Sequence, residues 1–151
     1  MRVLLQRVQQ ASVTVESQCV GEIGRGLLIY GGLEKDDTPA VIQRMAERVL
    51  NYRVFPDEEG RMNCSLLNVG GGILLVSQFT LAADTQRGNR PGFSTAMPAE
   101  LAQDMFVRFI DAVKARTTDA NIAVASGQFQ ADMQVSSIND GPINFLLEVR
   151  S

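Results

Sequence analysis

The chain has 151 residues and a formal net charge of −3, with 45% hydrophobic and 21% charged residues and not one histidine. That composition is globular rather than disordered, and the length suits one domain, 1–151, burying roughly 68–70% of its unfolded surface. The missing histidine excludes Ser-His-Asp and Cys-His nucleophiles, imidazole metal sites and the usual acid/base group of neutral pH.

The first ten residues hold only a short apolar patch, unlike a secretory signal, and no run approaches the ~20 apolar residues of a spanning helix, so a soluble cytoplasmic protein is expected. Apolar and polar residues alternate over 11–16, as in a half-buried strand. After Gly24-Arg25-Gly26, the run Leu27-Leu28-Ile29-Tyr30 reads as a strand buried on both faces. Thr38-Pro39 is a helix start, with Thr as cap and Pro in the first turn. Behind it Val41, Met45, Val49 and Tyr52, widened by Ile42, Ala46 and Leu50, form an apolar stripe.

Turns follow at 57–60 and 70–72. Residues 73–81 read as a central strand ending in polar residues. A second helix begins near Pro98, with Leu101, Met105, Phe109 and Ala112 on one face and Phe106 and Val113 beside it. Strands return at 122–125, 131–138 and 143–149. Two separated helices among many strands, without regular βαβ alternation, predict an α+β fold with a mainly antiparallel sheet.

The two cysteines, Cys19 and Cys64, form no CxxC pair and cannot build a thiolate zinc site; two buried, reduced thiols are expected, although one disulfide is possible. The scattered carboxylates show no metal-loop spacing, so no metal is expected. Of the 14 basic residues 12 are Arg, which suits bidentate phosphate contacts, and only Lys35 and Lys114 are Lys. An acidic chain argues against non-specific coating of nucleic acid and leaves a local patch for any RNA contact.

Three constellations carry chemistry. Ser77, Gln78, Phe79 and Thr80 close an apolar strand, either emerging into solvent or placing hydroxyls, an amide and backbone N–H groups at a pocket mouth. Asn139-Asp140-Gly141-Pro142 reads as a tight turn between the last two strands, or as a backbone carbonyl pair that accepts from a substrate ammonium. Arg87-Gly88-Asn89-Arg90-Pro91 is a solvated loop or a clamp for the phosphates of a nucleic-acid end, through Arg87 and Arg90. Gly70-Gly71-Gly72 lacks the Lys-Ser/Thr of a phosphate-binding loop, and Gly24-x-Gly26 lacks the rest of a dinucleotide fingerprint.

Taken together, Ser77-Gln78-Phe79-Thr80-Leu81-Ala82-Ala83 and Asn139-Asp140-Gly141-Pro142-Ile143-Asn144 resemble the two marks of the D-aminoacyl-tRNA deacylases of D-Tyr-tRNA type, Ser-Gln-Phe-Thr-Leu-x-Ala and Asn-x-Gly-Pro-x-Thr. Gln6-Arg7-Val8, Ala11-Ser12-Val13, Gly21-Glu22-Ile23-Gly24, Glu34-Lys35-Asp36-Asp37 and Ala131-Asp132-Met133-Gln134-Val135 extend the resemblance over essentially the whole chain. Asn144 departs from it, standing where the family has Thr.

The resemblance implies a barrel-like β core and a homodimer in which the Gly-Pro turn of one subunit enters the other's pocket. It implies a cis Gly141-Pro142 bond, carbonyls there that hold the α-amino group, and Arg7 bracing the loop. Asn139 and Met133 join the substrate-binding set, and Ser77, Gln78, Phe79 and Thr80 the catalytic one. The expected partner is aminoacylated tRNA, with no cofactor and no role for DNA or membrane. The implied reaction is hydrolysis of the ester of D-aminoacyl-tRNA, and of glycyl-tRNA, with L-esters rejected by the Gly-Pro backbone. Two alternatives stand beside it: a relative editing small L-residues, and a non-catalytic dimer that binds charged tRNA ends.

Overall fold

A computed structural model describes residues 1–151. Its spine is β1 (Arg2–Val15), fourteen residues long. One edge of β1 pairs antiparallel with β8 (Gln134–Glu148) along nearly its whole length. The other edge is shared: residues 2–8 pair with β3 (Gly26–Gly32) and 11–15 with β2 (Gln18–Ile23), both antiparallel. The β1–β2 connection is a two-residue turn in which Glu16 and Ser17 both have positive φ, the geometry that matches strand twist in a tight hairpin.

From β3 the sheet continues in parallel to β6 (Gly71–Ser77) and then to β7 (Ile122–Ser126). β2 curls back against β7 so closely that a Cβ on Gly21 would lie 2.5 Å from the Ser126 carbonyl oxygen. The sheet is therefore a nearly closed barrel.

The sheet is mixed: the three ladders of β1 are antiparallel, in line with the mainly antiparallel expectation, while β3-β6-β7 at the other end of the strand order is parallel. Parallel neighbours need crossovers, and both long helices serve as one. α1 (Pro39–Asn51) lies between β3 and β6, and α3 (Ala99–Thr117) lies between β6 and β7. A small hairpin, β4 (Phe55–Pro56) with β5 (Met62–Cys64), and a one-turn helix α2 (Leu66–Val69) are inserted after α1 and mask the βαβ alternation. α2 also raises the helix count from two to three; four residues are too few to show a helical period.

Alternation along the parallel strands explains their unbroken apolar runs. Leu27, Ile29, Ile73 and Leu75 face the helices, where they join Val41, Met45, Val49, Phe106 and Phe109 in the main core. Leu28, Leu74 and Val76 point into the curl of the sheet with Val8, Ala11, Val13 and Ile23. The α1 stripe is buried as expected, and Thr38 Oγ1 accepts from Val41 N–H at 3.4 Å. On α3 Phe106, Phe109, Ala112 and Val113 are buried as expected, whereas Leu101 is 60% exposed and Ala102 takes its place on the buried face.

Both cysteines are free, but the expected burial is corrected: Cys19 is exposed and Cys64 half-buried. No helix is long and apolar enough to cross a membrane.

The last third departs most from expectation. Residues 134–148 form one strand running a single way past β1, not two strands joined by a reversing turn. Gln6 pairs with Asn144 and Val8 with Asn139, so two steps along β1 match five along β8. Three residues are extruded from the ladder, and the exposed Gly141-Pro142 lies among them.

Candidate active site

The predicted strand over 73–81 stops at Ser77. Gln78 N–H donates to Gly31 O at 2.8 Å, one further step of the β3–β6 ladder, and the chain then coils into a 3-10 turn, Phe79–Ala82. Gly32 makes room for that turn: a Cβ there would fall 2.8 Å from Leu81 Cβ and 2.9 Å from Gln78 O. The first backbone hydrogen bond of the turn is Leu81 N–H to Gln78 O, 3.2 Å, so the N–H groups of Phe79 and Thr80 precede it.

All four residues, Ser77, Gln78, Phe79 and Thr80, line a cavity of about 760 Å³, within the roughly 300–1,000 Å³ typical of small-molecule sites. Its wall is mainly apolar, with Met97, Ala102 and Phe106 on one side and Met133 and Val135 on another. Met97 is held by its N–H donating to Leu33 O at 3.0 Å. The Gln78 amide Nε2 donates to Thr80 Oγ1 at 2.5 Å, which leaves the Thr80 hydroxyl proton free to point at a ligand.

At the mouth the rings of Phe79 and Phe93 lie 4.7 Å apart, and both are substantially exposed. Asp84 and Gly92 exchange backbone hydrogen bonds of 2.7 and 2.9 Å, pinching off the loop that carries Arg87 and Arg90. Both arginines are exposed and neither forms an ion pair.

A second assembly holds the extruded turn of β8. Arg7 Nε donates to the Asp140 carbonyl at 3.2 Å and lies 3.2 Å from the Asp140 carboxylate, while its NH1 donates to Val54 O at 2.7 Å. Asn139 Nδ2 donates to Arg7 O at 2.8 Å and to Ile143 O at 3.2 Å, spanning the base of the turn. At the tip Gly141 has φ +129°, and the Gly141-Pro142 peptide is cis. Asn144 accepts from Gln6 Nε2 at 2.9 Å, an amide pair across the two strands.

The structure thus brings Ser77, Gln78, Phe79, Thr80 and Met133 together, and separately Arg7, Asn139, Gly141 and Pro142; the second group does not line the cavity of its own chain. Arg44 and Arg48 of α1 donate to the carbonyls of Arg150 and Glu148 on the C-terminal segment. Sequence reasoning missed Tyr30, Phe93 and Gln130 as lining residues. An aromatic directly after a basic, Gly-Pro-punctuated loop was the available signal for Phe93. Gln130 has positive φ, which no sequence pattern announces. Burial raises the pKa of the Tyr30 hydroxyl above its ordinary value.

A nearly closed mixed barrel thus gathers hydroxyl, amide and backbone N–H groups at a strand end beside a mainly apolar cavity. The sequence model of the D-Tyr-tRNA(Tyr) deacylase family matches residues 4–148. The D-aminoacyl-tRNA deacylase of Stenotrophomonas maltophilia is 54% identical over 97% of this chain and 99% of its own. That of Saccharophagus degradans is 51% identical over the same shares. A solved structure named c-Myc DNA unwinding element binding protein is 37% identical with a TM-score of 0.93, both chains being fully covered. A probable eukaryotic D-amino acid tRNA deacylase, 20% identical with a TM-score of 0.82 over 98% of each chain, shares the fold. The chain belongs to the D-Tyr-tRNA(Tyr) deacylase family and is a hydrolase of the aminoacyl-tRNA ester bond.

Proposed function

We propose that this chain works as a homodimer, in the cytoplasm, that hydrolyses D-aminoacyl-tRNA and glycyl-tRNA. The observation that carries this reading is the separation of the two halves of the site. The cavity holds Ser77, Gln78, Phe79 and Thr80 but lacks the Gly-Pro turn, while the turn stands out from β8, whose second edge is unpaired. A second copy supplies each half with the other. The exposed Ile138 and Leu146 on β8 are apolar surface that such a contact would cover.

In that arrangement the Gly141 and Pro142 carbonyls accept from the substrate ammonium, and the 77–80 segment holds the ester. With both ends fixed, a D side chain or a glycine hydrogen points into open space, whereas an L side chain is driven into Gly-Pro backbone. Backbone cannot move to another rotamer, so rejection is robust and glycine passes. Phe79 and Phe93 offer a stacking face to a terminal base. The N–H groups of Phe79 and Thr80 stabilise the oxyanion, and the 2′-hydroxyl of the terminal adenosine helps order the attacking water.

Incubation with D-Tyr-tRNA and L-Tyr-tRNA tests the whole reading: release of D-Tyr alone is expected. Protection of both esters would mean sequestration without catalysis, and hydrolysis of an L-alanyl ester would mean editing of small L-residues.

Thr80 has no base beside it, and the Gln78 contact donates to its oxygen rather than taking its proton. Thr80→Ala is therefore expected to lower kcat by about tenfold or less, the scale of one neutral hydrogen bond. A loss of several orders of magnitude, with fold and tRNA affinity intact, would make Thr80 the nucleophile. The paired change Arg87→Gln and Arg90→Gln is expected to raise KM for charged tRNA. It should also reduce the slope of log KM against log salt by about 0.7 for each phosphate that is no longer neutralised. An unchanged KM and slope would remove this loop from the RNA-binding surface.

A further inference from the structure

Three guanidinium groups gather on the segment that follows α1. Arg7 Nη1 donates to Val54 O at 2.7 Å, and the Arg25 guanidinium carbon stands 5.3 Å from the centre of the Phe55 ring. Arg53 Nη1 donates to Asn63 Oδ1 on β5 at 3.1 Å. Asp140 is the one carboxylate that forms an ion pair with any of the three, and its partner is Arg7. Arg25 and Arg53 are exposed and unpaired, while Glu59 at the tip of the β4–β5 hairpin is taken by Arg61. A ring contact and a single amide contact leave each of them most of its five N–H donors.

Their place in the fold sets what they can meet. Only the Arg7 guanidinium stands between Val54 O and the Asp140 carbonyl at the base of the Gly-Pro turn. Arg53, next to Val54, therefore flanks that turn, and Arg25 lies beside it over Phe55.

We propose that Arg25 and Arg53 form an RNA-docking surface that acts in trans, taking phosphates of the single-stranded 3′ end of a charged tRNA whose ester lies in the other subunit's cavity. The inference rests on the homodimer reading, in which each turn enters the opposite cavity and carries this surface with it. The loop of Arg87 and Arg90 belongs instead to the cavity's own subunit, so the RNA end is gripped from both sides. Phosphate is the chemistry that suits two unpaired planar forks, and the Phe55 ring holds one of them in place in advance.

Mixed dimers test the assignment. Arg7→Ala in one subunit disables its turn, so the surviving activity joins that subunit's cavity to the other subunit's turn. With Arg25→Gln and Arg53→Gln placed in the subunit that supplies the working turn, KM for D-Tyr-tRNA is expected to rise about fivefold to tenfold, the scale of two exposed charge pairs. The slope of log KM against log salt should fall by about 0.7 for each phosphate released. The same double change in the subunit that supplies the cavity should leave both unchanged. Arg25→Lys with Arg53→Lys should keep the salt slope, because counterion release counts charges; a structural disturbance would lower kcat at constant slope and overturn the inference. An effect from the cavity subunit would overturn action in trans, and no effect from either would overturn the docking surface. An Arg7→Ala homodimer as active as wild type would instead overturn the Gly-Pro reading beneath it.

Discussion

Arg7→Ala is expected to lower kcat/KM for D-aminoacyl-tRNA by about 100-fold, although Arg7 lies outside the cavity. Its guanidinium is mostly buried and ties three acceptors from distant parts of the chain: the carbonyl and carboxylate of Asp140 and the carbonyl of Val54. Val54 follows α1, so the arginine anchors the extruded turn to the helical layer. Without it the turn keeps only the Asn139 bridges to Arg7 O and Ile143 O at its base. A reacting group displaced by about 1 Å can cost about 10² in rate, and the turn is the element proposed to hold the substrate ammonium.

The effect should fall on kcat as well as KM, because misplacing the ammonium misplaces the ester. The loss of stability should stay within about 1–3 kcal/mol, the penalty of carbonyls left without a donor. Arg7→Lys keeps the charge but not a planar fork able to reach three acceptors, so it should restore only part of the activity. Activity close to wild type in both variants, measured beside unfolding curves, would show that the Gly-Pro turn takes no part in the reaction.

What could be read from the sequence was what leaves a local trace. Thr38-Pro39 and the spacing from Val41 to Leu50 located α1, because capping and period are properties of neighbouring residues. The abrupt polarity of Ser77, Gln78 and Thr80 after an apolar strand marked the cavity wall for the same reason. Asn139-Asp140-Gly141-Pro142 misled about topology while marking the segment that is extruded from β8. Its turn chemistry is equally compatible with a chain that reverses and with a segment extruded from a strand that continues. Only pairing with β1, over 130 residues away in sequence, decides between them.

The parallel part of the sheet, β3-β6-β7, was hidden likewise. The crossover from β3 to β6 contains a hairpin and a one-turn helix that dilute the alternation. Leu101 was placed one residue off because Ala102, with its small side chain, is a weak marker of the buried face. Tyr30 ended a buried run with nothing in its neighbourhood to tell a packed tyrosine from one facing a cavity.

Gly26→Ala is expected to prevent folding or cost more than about 4 kcal/mol, while Gly24→Ala, two residues away, stays within about 0.5 kcal/mol of wild type. A Cβ on Gly26 would sit on the carbonyl oxygen of Gly72, 2.7 Å from its carbon and 2.8 Å from its nitrogen. Those atoms are backbone at the start of β6 and cannot move to another rotamer. Gly72 is itself packed on the other side, where a Cβ would lie 2.7 Å from that of Ile23, and its N–H donates to Arg25 O at 2.9 Å.

The first rungs of the β3–β6 ladder would therefore have to separate, and it is the far end of this ladder that aims Ser77 and Gln78 at the cavity. A Cβ on Gly24 meets nothing within 4 Å. The pair thus isolates strand approach from the general effect of removing a glycine, which by itself slightly favours the folded state when the conformation is compatible. Stabilities of about 5–15 kcal/mol leave little margin for the first change. Urea unfolding midpoints at constant m value measure both, and equal midpoints for the two variants would contradict the close approach of β3 and β6 at Gly26 and Gly72.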